Sequence, residues 1–400
     1  MEWVTSAEPG GLWDGGSFDR FLIEASDRKA SDVALVPDLP VFVRLHGEWM
    51  PVSLKRLSDA EIQLLTNHLA RRSTAAGEVI SGKDLDFSAE VKVDRGEIRR
   101  FRVNATACRS GVATSAEVVL RTIPGIPPDL AQMNIEVPLM DALVPQNGLT
   151  IVTGTTGSGK STLLAGLLRR IRETHPWHMI TYEHPIEFNL SDIPGAKGPC
   201  VQSEIPYHIL AFALAARNAN RRAPDVVLLG EARDRETFQG VMELADSGPR
   251  VYTTAHTRSV EETPSRIIAM FPPEEQSFRA GLLLAALRLI VHQRLLPKVG
   301  GGRVAIRSFL KIDQAVRDRI YGLRIEQTTP ELRRLVSERG QTLLQAAERL
   351  FSQGVIEETE VRRIRAELDA DLEAERRSFA EAAHTQVEPL LNKEANDAVA

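Results

Sequence analysis

Gly154-Thr155-Thr156-Gly157-Ser158-Gly159-Lys160-Ser161 fills every fixed position of the pattern GxxxxGK[ST]. Each residue type in that turn suits a bound phosphate chain. Glycines let backbone amides converge on phosphate oxygens, and a helix opening there adds the partial positive charge of its N-terminus. Lys160 is placed to reach β- and γ-phosphates and Ser161 to offer its hydroxyl to Mg²⁺, with Thr162 next on the same turn. An apolar strand pattern, Leu149–Thr153, precedes the turn and a helical pattern, Thr162–Arg172, follows it, which is the setting the motif requires. By composition alone the fixed positions would coincide in about one or two such chains per hundred, so an accidental glycine-rich turn is the weaker explanation.

Hydrolysis of a nucleoside triphosphate also needs a carboxylate near the metal and a group that takes a proton from water. Asp225-Val-Val-Leu-Leu-Gly-Glu231 is an apolar strand run that ends in an acid. Glu231 is the candidate for the metal shell, whereas Asp225, at the start of the run, is read as structural. Tyr182-Glu183-His184-Pro185-Ile186-Glu187-Phe188 places two carboxylates after another apolar run. Either can be the general base; Glu183 is favoured because it lies nearer the strand end. Thr253-Thr254-Ala255-His256-Thr257 closes a further strand pattern and adds His256, a candidate sensor of the γ-phosphate. In open α/β sheets, ligands gather at such C-terminal strand ends.

The elements that must carry these groups follow from periodicity. Strand runs at Leu149–Thr153, Met179–Tyr182, Asp225–Leu229 and Arg250–Thr254 alternate with helical patterns to about Ile312. This predicts an α/β P-loop domain over 147–328, with a mostly parallel sheet covered on both faces; together with the phosphate turn it resembles the RecA-like ATPase domains. A smaller α+β domain is predicted over 18–128, after a loose tail at 1–17 and before a linker at 129–146. It holds a helix (Phe18–Lys29, with Phe18, Phe21, Leu22 and Ala25 on one face) and strand-like residues from Asp32 to Leu45. A capping box at Ser58–Glu61 opens another helix, and strands are expected at Phe87–Glu90, Arg99–Ala107 and Ala116–Thr122. Beyond Thr329 the pattern is helical, with amphipathic stretches Leu332–Phe351 and Glu357–Glu381 joined at Gly354. This gives a helical region at 329–385 and a polar tail at 386–400.

Composition narrows the class. With 43% apolar and 26% charged residues over 400 positions, the chain is neither collagenous nor wholly disordered. Two distant cysteines, Cys108 and Cys200, build neither a zinc ribbon nor a disulfide framework. A formal net charge of −5 and the lack of a basic stripe with interleaved aromatics argue against a nucleic-acid coat, and no sequence-specific nucleic-acid contact is expected. The N-terminus lacks a secretory-signal pattern, and the apolar run Gly281–Val291 contains Arg288 and falls short of the roughly 20 residues a membrane span needs. The expected location is cytoplasmic.

Taken together, these segments resemble the secretion ATPase superfamily, the motors of type II and type IV secretion and of type IV pili. Its members carry a P-loop, an Asp box (similar to Met179–Phe188), a Walker B segment ending in GE (Val227–Asp234) and a His box (Thr253–Thr257). His292-Gln-Arg-Leu-Leu-Pro297 is similar to the family's QxLxP stretch. Ala30–Asp32, Arg100–Asn104 and Leu120–Pro124 resemble the PAS-like N-terminal domain of the PilT-like group. The tetracysteine zinc insertion of pilus-extension and type II motors cannot be built here. Gln202–Pro206, Arg217–Pro224 and Gly230–Glu236 look closest to the DotB-type ATPases of Dot/Icm type IVB secretion and the related TraJ-type ATPases of IncI conjugative plasmids. His184 departs from the family, which usually has Asp there, and the AIRAGE sequence associated with retraction motors does not occur.

The resemblance implies a homo-hexameric ring with ATP and Mg²⁺ between subunits. Arg100, Arg102 and Arg121, with Arg217 and Arg221, are then the side chains expected at the nucleotide, where a neighbour's arginine stabilises charge on the transferring phosphoryl group. It further implies a motor energising type IVB secretion or conjugative DNA transfer. Such a motor works peripherally at the cytoplasmic face of the bacterial inner membrane, through the membrane proteins of that apparatus. The alternatives are a type IV pilus retraction motor and a nucleotide-binding scaffold without turnover.

Overall fold

In the computed structural model, which describes residues 3–371 and 373 apart from 95, 96 and 124, Phe18, Phe21, Leu22 and Ala25 share the buried face of helix α1 (Gly15–Asp27). Asp14 caps that helix: its carboxylate accepts from the Ser17 amide at 2.7 Å, and its own amide donates to the Ser17 hydroxyl at 3.1 Å. The expected loose tail at 1–17 is corrected here. Trp13 is fully buried, edge-on to Phe18 and Phe21 at centroid distances of 6.0 and 5.8 Å. The Trp3 indole donates to Glu24 at 2.8 Å, and the Trp13 amide donates to Glu61 at 2.8 Å. Glycines make this segment read as loose, but two tryptophans bury too much apolar area to stay in solvent. Trp13→Ala should cost about 3–5 kcal/mol, read as a lowered urea midpoint by tryptophan-independent circular dichroism. An unchanged midpoint would show that the segment contributes nothing.

The strands that follow are β1 (Asp32–Leu35), β2 (Pro40–Leu45), β3 (Glu48–Arg56), β4 (Leu85–Asp94), β5 (Glu97–Ser110) and β6 (Ala113–Ile123), with α2 (Asp59–Ala70) and α3 (Ala75–Ile80) between β3 and β4. They form an antiparallel sheet in the order β3-β2-β1-β6-β5-β4. The strand-like stretch Asp32–Leu45 is thus two strands broken near Pro37, and β3 is an addition to the sequence reading. The Ser58–Glu61 capping box forms as expected. Phe101, Val103 and Ala105 of β5 and Ala116, Val118 and Leu120 of β6 fill the core. Alternation therefore sends Arg100, Arg102 and Arg121 to the opposite face. Arg102 and Arg121 stand directly across from each other in the β5–β6 ladder.

The remaining elements are α4 (Val137–Ala142), β7 (Gly148–Thr153), α5 (Lys160–Thr174), β8 (Met179–Glu183), β9 (Cys200–Glu204), α6 (Phe212–Ala219), β10 (Val226–Leu229), α7 (Arg235–Asp246) and β11 (Arg250–Ala255). After them come α8 (Glu262–Ile268), α9 (Pro273–Ala286), β12 (Leu287–Pro297), β13 (Arg303–Lys311), α10 (Gln314–Ile320), α11 (Ile325–Arg339) and α12 (Leu343–Ser352). The second sheet has the order β13-β12-β7-β11-β10-β8-β9. Pairing of β8 with β9 and β10, and of β7 with β12, is parallel, while β13 returns antiparallel on β12. Every residue of β7 and β10 is buried, as strands covered on both faces should be. The α/β, mostly parallel architecture matches the sequence reading; β9 and the β12–β13 hairpin are additions to it.

The chain divides into two compact units, each assembled from separated stretches. One comprises residues up to Met133, Ser161–Ala232 and Gln239–Tyr252; the other comprises Asn134–Lys160, Arg233–Phe238 and residues from Thr253 onward. The expected linker at 129–146 is packed: it holds α4, with Leu139 and Leu143 fully buried. The helix expected at Leu332–Phe351 is two helices. It breaks at Gly340, where a Cβ would lie 2.1 Å from the Phe309 carbonyl oxygen. A last helix starts at 358 and is described to 371; the rest of the Glu357–Glu381 stretch, residue 373 aside, and the tail at 386–400 lie outside the described residues. Among the described residues, no helix is long and apolar enough to cross a membrane.

Candidate nucleotide site

The phosphate turn leaves β7 at Thr153 and enters α5 at Lys160. Gly154, Gly157 and Gly159 hold φ of +140°, +78° and +85°, a region that side chains with a Cβ avoid. Thr155, Thr156 and Gly157 are exposed, as are Ser161 and Thr162 on the first turn of α5, whereas Ser158 and Lys160 are buried. The Lys160 ammonium donates to the carbonyls of Gly154 at 2.7 Å and Thr155 at 3.0 Å. It is thus drawn into the turn it would share with a phosphate. Beneath, Thr153 Oγ1 lies 3.0 Å from His292 Nδ1, because β12 pairs with β7 in a register that sets these two residues side by side. Burial, with Arg294 and Lys160 adding to it, lowers the His292 pKa to about 4, so the ring is neutral near pH 7.

In the other unit, Glu183 ends β8. Burial lifts its pKa to about 7, and the Glu187 carboxylate adds to the rise. Thr181 Oγ1 donates to Glu183 Oε1 at 2.6 Å, and Gln202 Nε2 donates to the same oxygen at 3.0 Å. Gln202 belongs to β9, opposite Thr181 in the parallel ladder, and also holds the backbone of Phe188 and Leu190. Glu187 and Glu231 both act electrostatically on Arg102, so the structure gathers these predicted residues within one unit. Glu231 follows Gly230, whose Cβ position would lie 3.2 Å from the Tyr182 carbonyl oxygen; this close approach draws the end of β10 against β8. Asp225 is structural, as expected: its carboxylate accepts from the His178 amide at 2.8 Å. His256 follows β11 and is exposed.

The arginines differ in how far their own chain occupies them. Arg102 makes a two-point pair with Asp86, at 3.1 and 2.6 Å, and this contact holds its pKa above the usual value. Arg100 lies 2.9 Å from Glu90. Arg121 contacts Asp32 through Nε at 2.9 Å, yet its side chain is 68% exposed. Arg217 lies in the last turn of α6 and Arg221 follows the helix, both exposed. The sequence alone assigns no site role to Thr181, Gln202, Asp86 or Asp32, although Gln202 and Asp32 lie in segments that carry the family resemblance. Gln202 and Thr181 were findable only through the β8–β9 register, since β9 is not visible as a strand in the sequence.

The residues present fit a nucleotide with its metal. Ser158 Oγ is buried with no hydrogen-bond partner among the described residues, the glycines leave the turn open to phosphate oxygens, and the first turn of α5 carries no acid. Among the described residues no cluster of three or more His, Cys, Asp or Glu forms a metal cage. The hydroxyl of Ser161 and the carboxylate of Glu231 are oxygen donors of the kind Mg²⁺ prefers when phosphates and water complete its shell.

Residues 84–301 match the family described as Type II/IV secretion system protein. The crystal structure of the Legionella pneumophila ATPase DotB is similar with a TM-score of 0.85 and 38% identity, covering 92% of this chain and 99% of that one. The structure of the pilus retraction motor PilT with bound ADP gives a TM-score of 0.74 and 31% identity, over 86% of this chain and 95% of that one. The type IV pilus retractation ATPase PilT of Pseudomonas aeruginosa is 33% identical over 84% of this chain and 94% of its own length.

Proposed function

The chain belongs to the Type II/IV secretion system protein family, and from that premise we propose that it is a ring-forming motor ATPase that energises a type IVB secretion or conjugative DNA-transfer apparatus. The observation that carries the reading is Glu183: a carboxylate at a strand end, tuned to about 7, in a chain that also bears a complete phosphate turn. A base poised near the working pH is what proton abstraction from water needs.

Lys160 exchanges the carbonyls of Gly154 and Thr155 for phosphate oxygens, and amides of the turn and of α5 complete the cradle. Ser161 and Glu231 would hold Mg²⁺, which when bound would neutralise charge on the phosphates. Thr181 and Gln202 fix Glu183 through Oε1, so Oε2 is the atom assigned to the attacking water. Glu187 is the alternative base and sustains the raised pKa of Glu183; His256 reports the γ-phosphate. Arg121, more exposed than Arg100 or Arg102, reaches a nucleotide held by the adjacent subunit of a hexamer, and Arg100, Arg102, Arg217 and Arg221 line that junction. Docking is peripheral, on membrane proteins at the cytoplasmic face of the inner membrane. Similarity to DotB favours type IVB transport; similarity to PilT supports pilus retraction as the second reading.

Subunit mixing tests the ring. Arg121→Ala and Lys160→Ala should each be inactive alone, whereas co-expressed and co-purified they should regain part of the wild-type activity. Some junctions then combine an intact Lys160 with a neighbour's intact Arg121. Folded mixtures that stay inactive would rule out a shared site.

A further inference from the structure

A chain of buried polar side chains behind the phosphate turn has no part in that chemistry. Gln293 and Arg307 stand opposite each other in the β12–β13 ladder. Gln293 Nε2 donates to the Ser158 carbonyl at 2.8 Å, and Gln293 Oε1 accepts from Arg307 Nε at 2.8 Å. Gln293 also presses on both ends of the turn: a Cβ on Gly154 would lie 2.4 Å from the Gln293 carbonyl oxygen, and one on Gly159 2.9 Å from Gln293 Nε2. Behind it, Arg307 Nη1 lies 3.3 Å from Glu136 Oε2. Glu136 Oε1 accepts from Arg349 Nη2 at 2.7 Å and from Gln341 Nε2 at 3.2 Å. Gln293, Arg307 and Glu136 are only 2–3% exposed.

A buried ion pair is poor evidence for stability, since desolvation offsets most of its attraction; its better-attested use is to specify one arrangement. Here the arrangement specified is that of the turn. The member nearest solvent is Arg349, whose side chain is 38% exposed against 2% for Arg307 and Glu136. It sits on α12, which packs through Ala346, Ala347 and Leu350 against the cluster containing Leu296 and Ile306. The Gly340 break places it: Phe309 and Gln341 exchange backbone hydrogen bonds of 3.0 Å, and Thr342 then caps α12. With α12 seated, Glu136 faces two guanidinium groups; with α12 displaced, it faces Arg307 alone.

We infer that Glu136, Arg307 and Gln293 form a positioning relay through which the seating of α12, by way of Arg349, sets the shape of the phosphate turn and thereby its affinity for nucleotide. The inference rests on the nucleotide-binding reading above.

The test is titration of the full-length chain with a fluorescent ATP analogue, alongside steady-state hydrolysis. Arg349→Ala should weaken analogue binding about tenfold, within the usual range for coupling between sites, and raise KM in parallel while kcat changes less than twofold. Arg349→Lys, which keeps the charge, should stay within about threefold of wild type by the same measure. In a Gln293→Ala background, Arg349→Ala should add nothing further. Unchanged binding in Arg349→Ala, or an equal loss in both backgrounds, would overturn the relay. Failure of the wild-type chain to bind the analogue would overturn the nucleotide reading and the relay with it.

Discussion

Glu183→Gln is expected to lower kcat by about 10²–10⁴-fold, the usual contribution of a positioned proton acceptor, while making the protein more stable above neutral pH. Both effects have one cause. Burial raises the Glu183 pKa from its ordinary 4.5 to about 7. Between these values the folded chain binds more protons at this site than the unfolded chain does, so stability falls as pH rises through the window. Above pH 7 the buried charge costs up to about 3 kcal/mol, which glutamine avoids while still accepting hydrogen bonds from Thr181 and Gln202. Melting curves should therefore separate at pH 8, with the variant higher, and converge near pH 4.5. In the wild type kcat should rise with pH through about 7, since the base acts deprotonated, and that limb should vanish in the variant. A variant that keeps the limb would move the base to Glu187.

Lys160→Ala is expected to cost on the order of 10²–10³-fold in turnover, comparable with removing one preorganised donor to a developing anion, and to weaken nucleotide binding as well. Lys160 is 8% exposed and its ammonium is held by two carbonyls of the turn, which keep it beside the phosphate position until a phosphate replaces them. The loss should appear in a phosphate-release assay at saturating ATP. Far-UV circular dichroism should remain that of the wild type, because α5 is anchored by the buried Leu163, Leu164, Leu167, Leu168 and Ile171. Full activity in the variant would mean that the turn serves another ligand.

Much of this was legible in the residues themselves. The phosphate turn announces itself through glycines and a lysine whose spacing has few other uses, and β7, β8, β10 and β11 stand out as buried apolar runs. The acids at strand ends follow from those runs. What the sequence hid are contacts that register creates. Gln202 orients Glu183 only because β9 (Cys200–Glu204), which periodicity does not mark as a strand, pairs in parallel with β8. Gln293 reaches the phosphate turn, and Arg307 reaches Gln293, only because β12 lies between β7 and β13. The N-terminal residues misled for a local reason: glycine content suggests a tail, yet Trp3 and Trp13 decide the outcome by burial. Gly340 misled in the opposite direction, since nothing near it in sequence reveals the Phe309 carbonyl that forbids a side chain there. Arg102 and Arg121 are singled out by family resemblance; that Asp86 and Asp32 pair with them is visible only in the sheet.

The most direct test is the structure of the assembled protein with Mg²⁺ and a non-hydrolysable ATP analogue. The account predicts the γ-phosphate seated on residues 154–161, with the Glu183 carboxylate one water away from it and Glu231 turned toward the metal. A bound analogue with both carboxylates directed away from the γ-phosphate would contradict it.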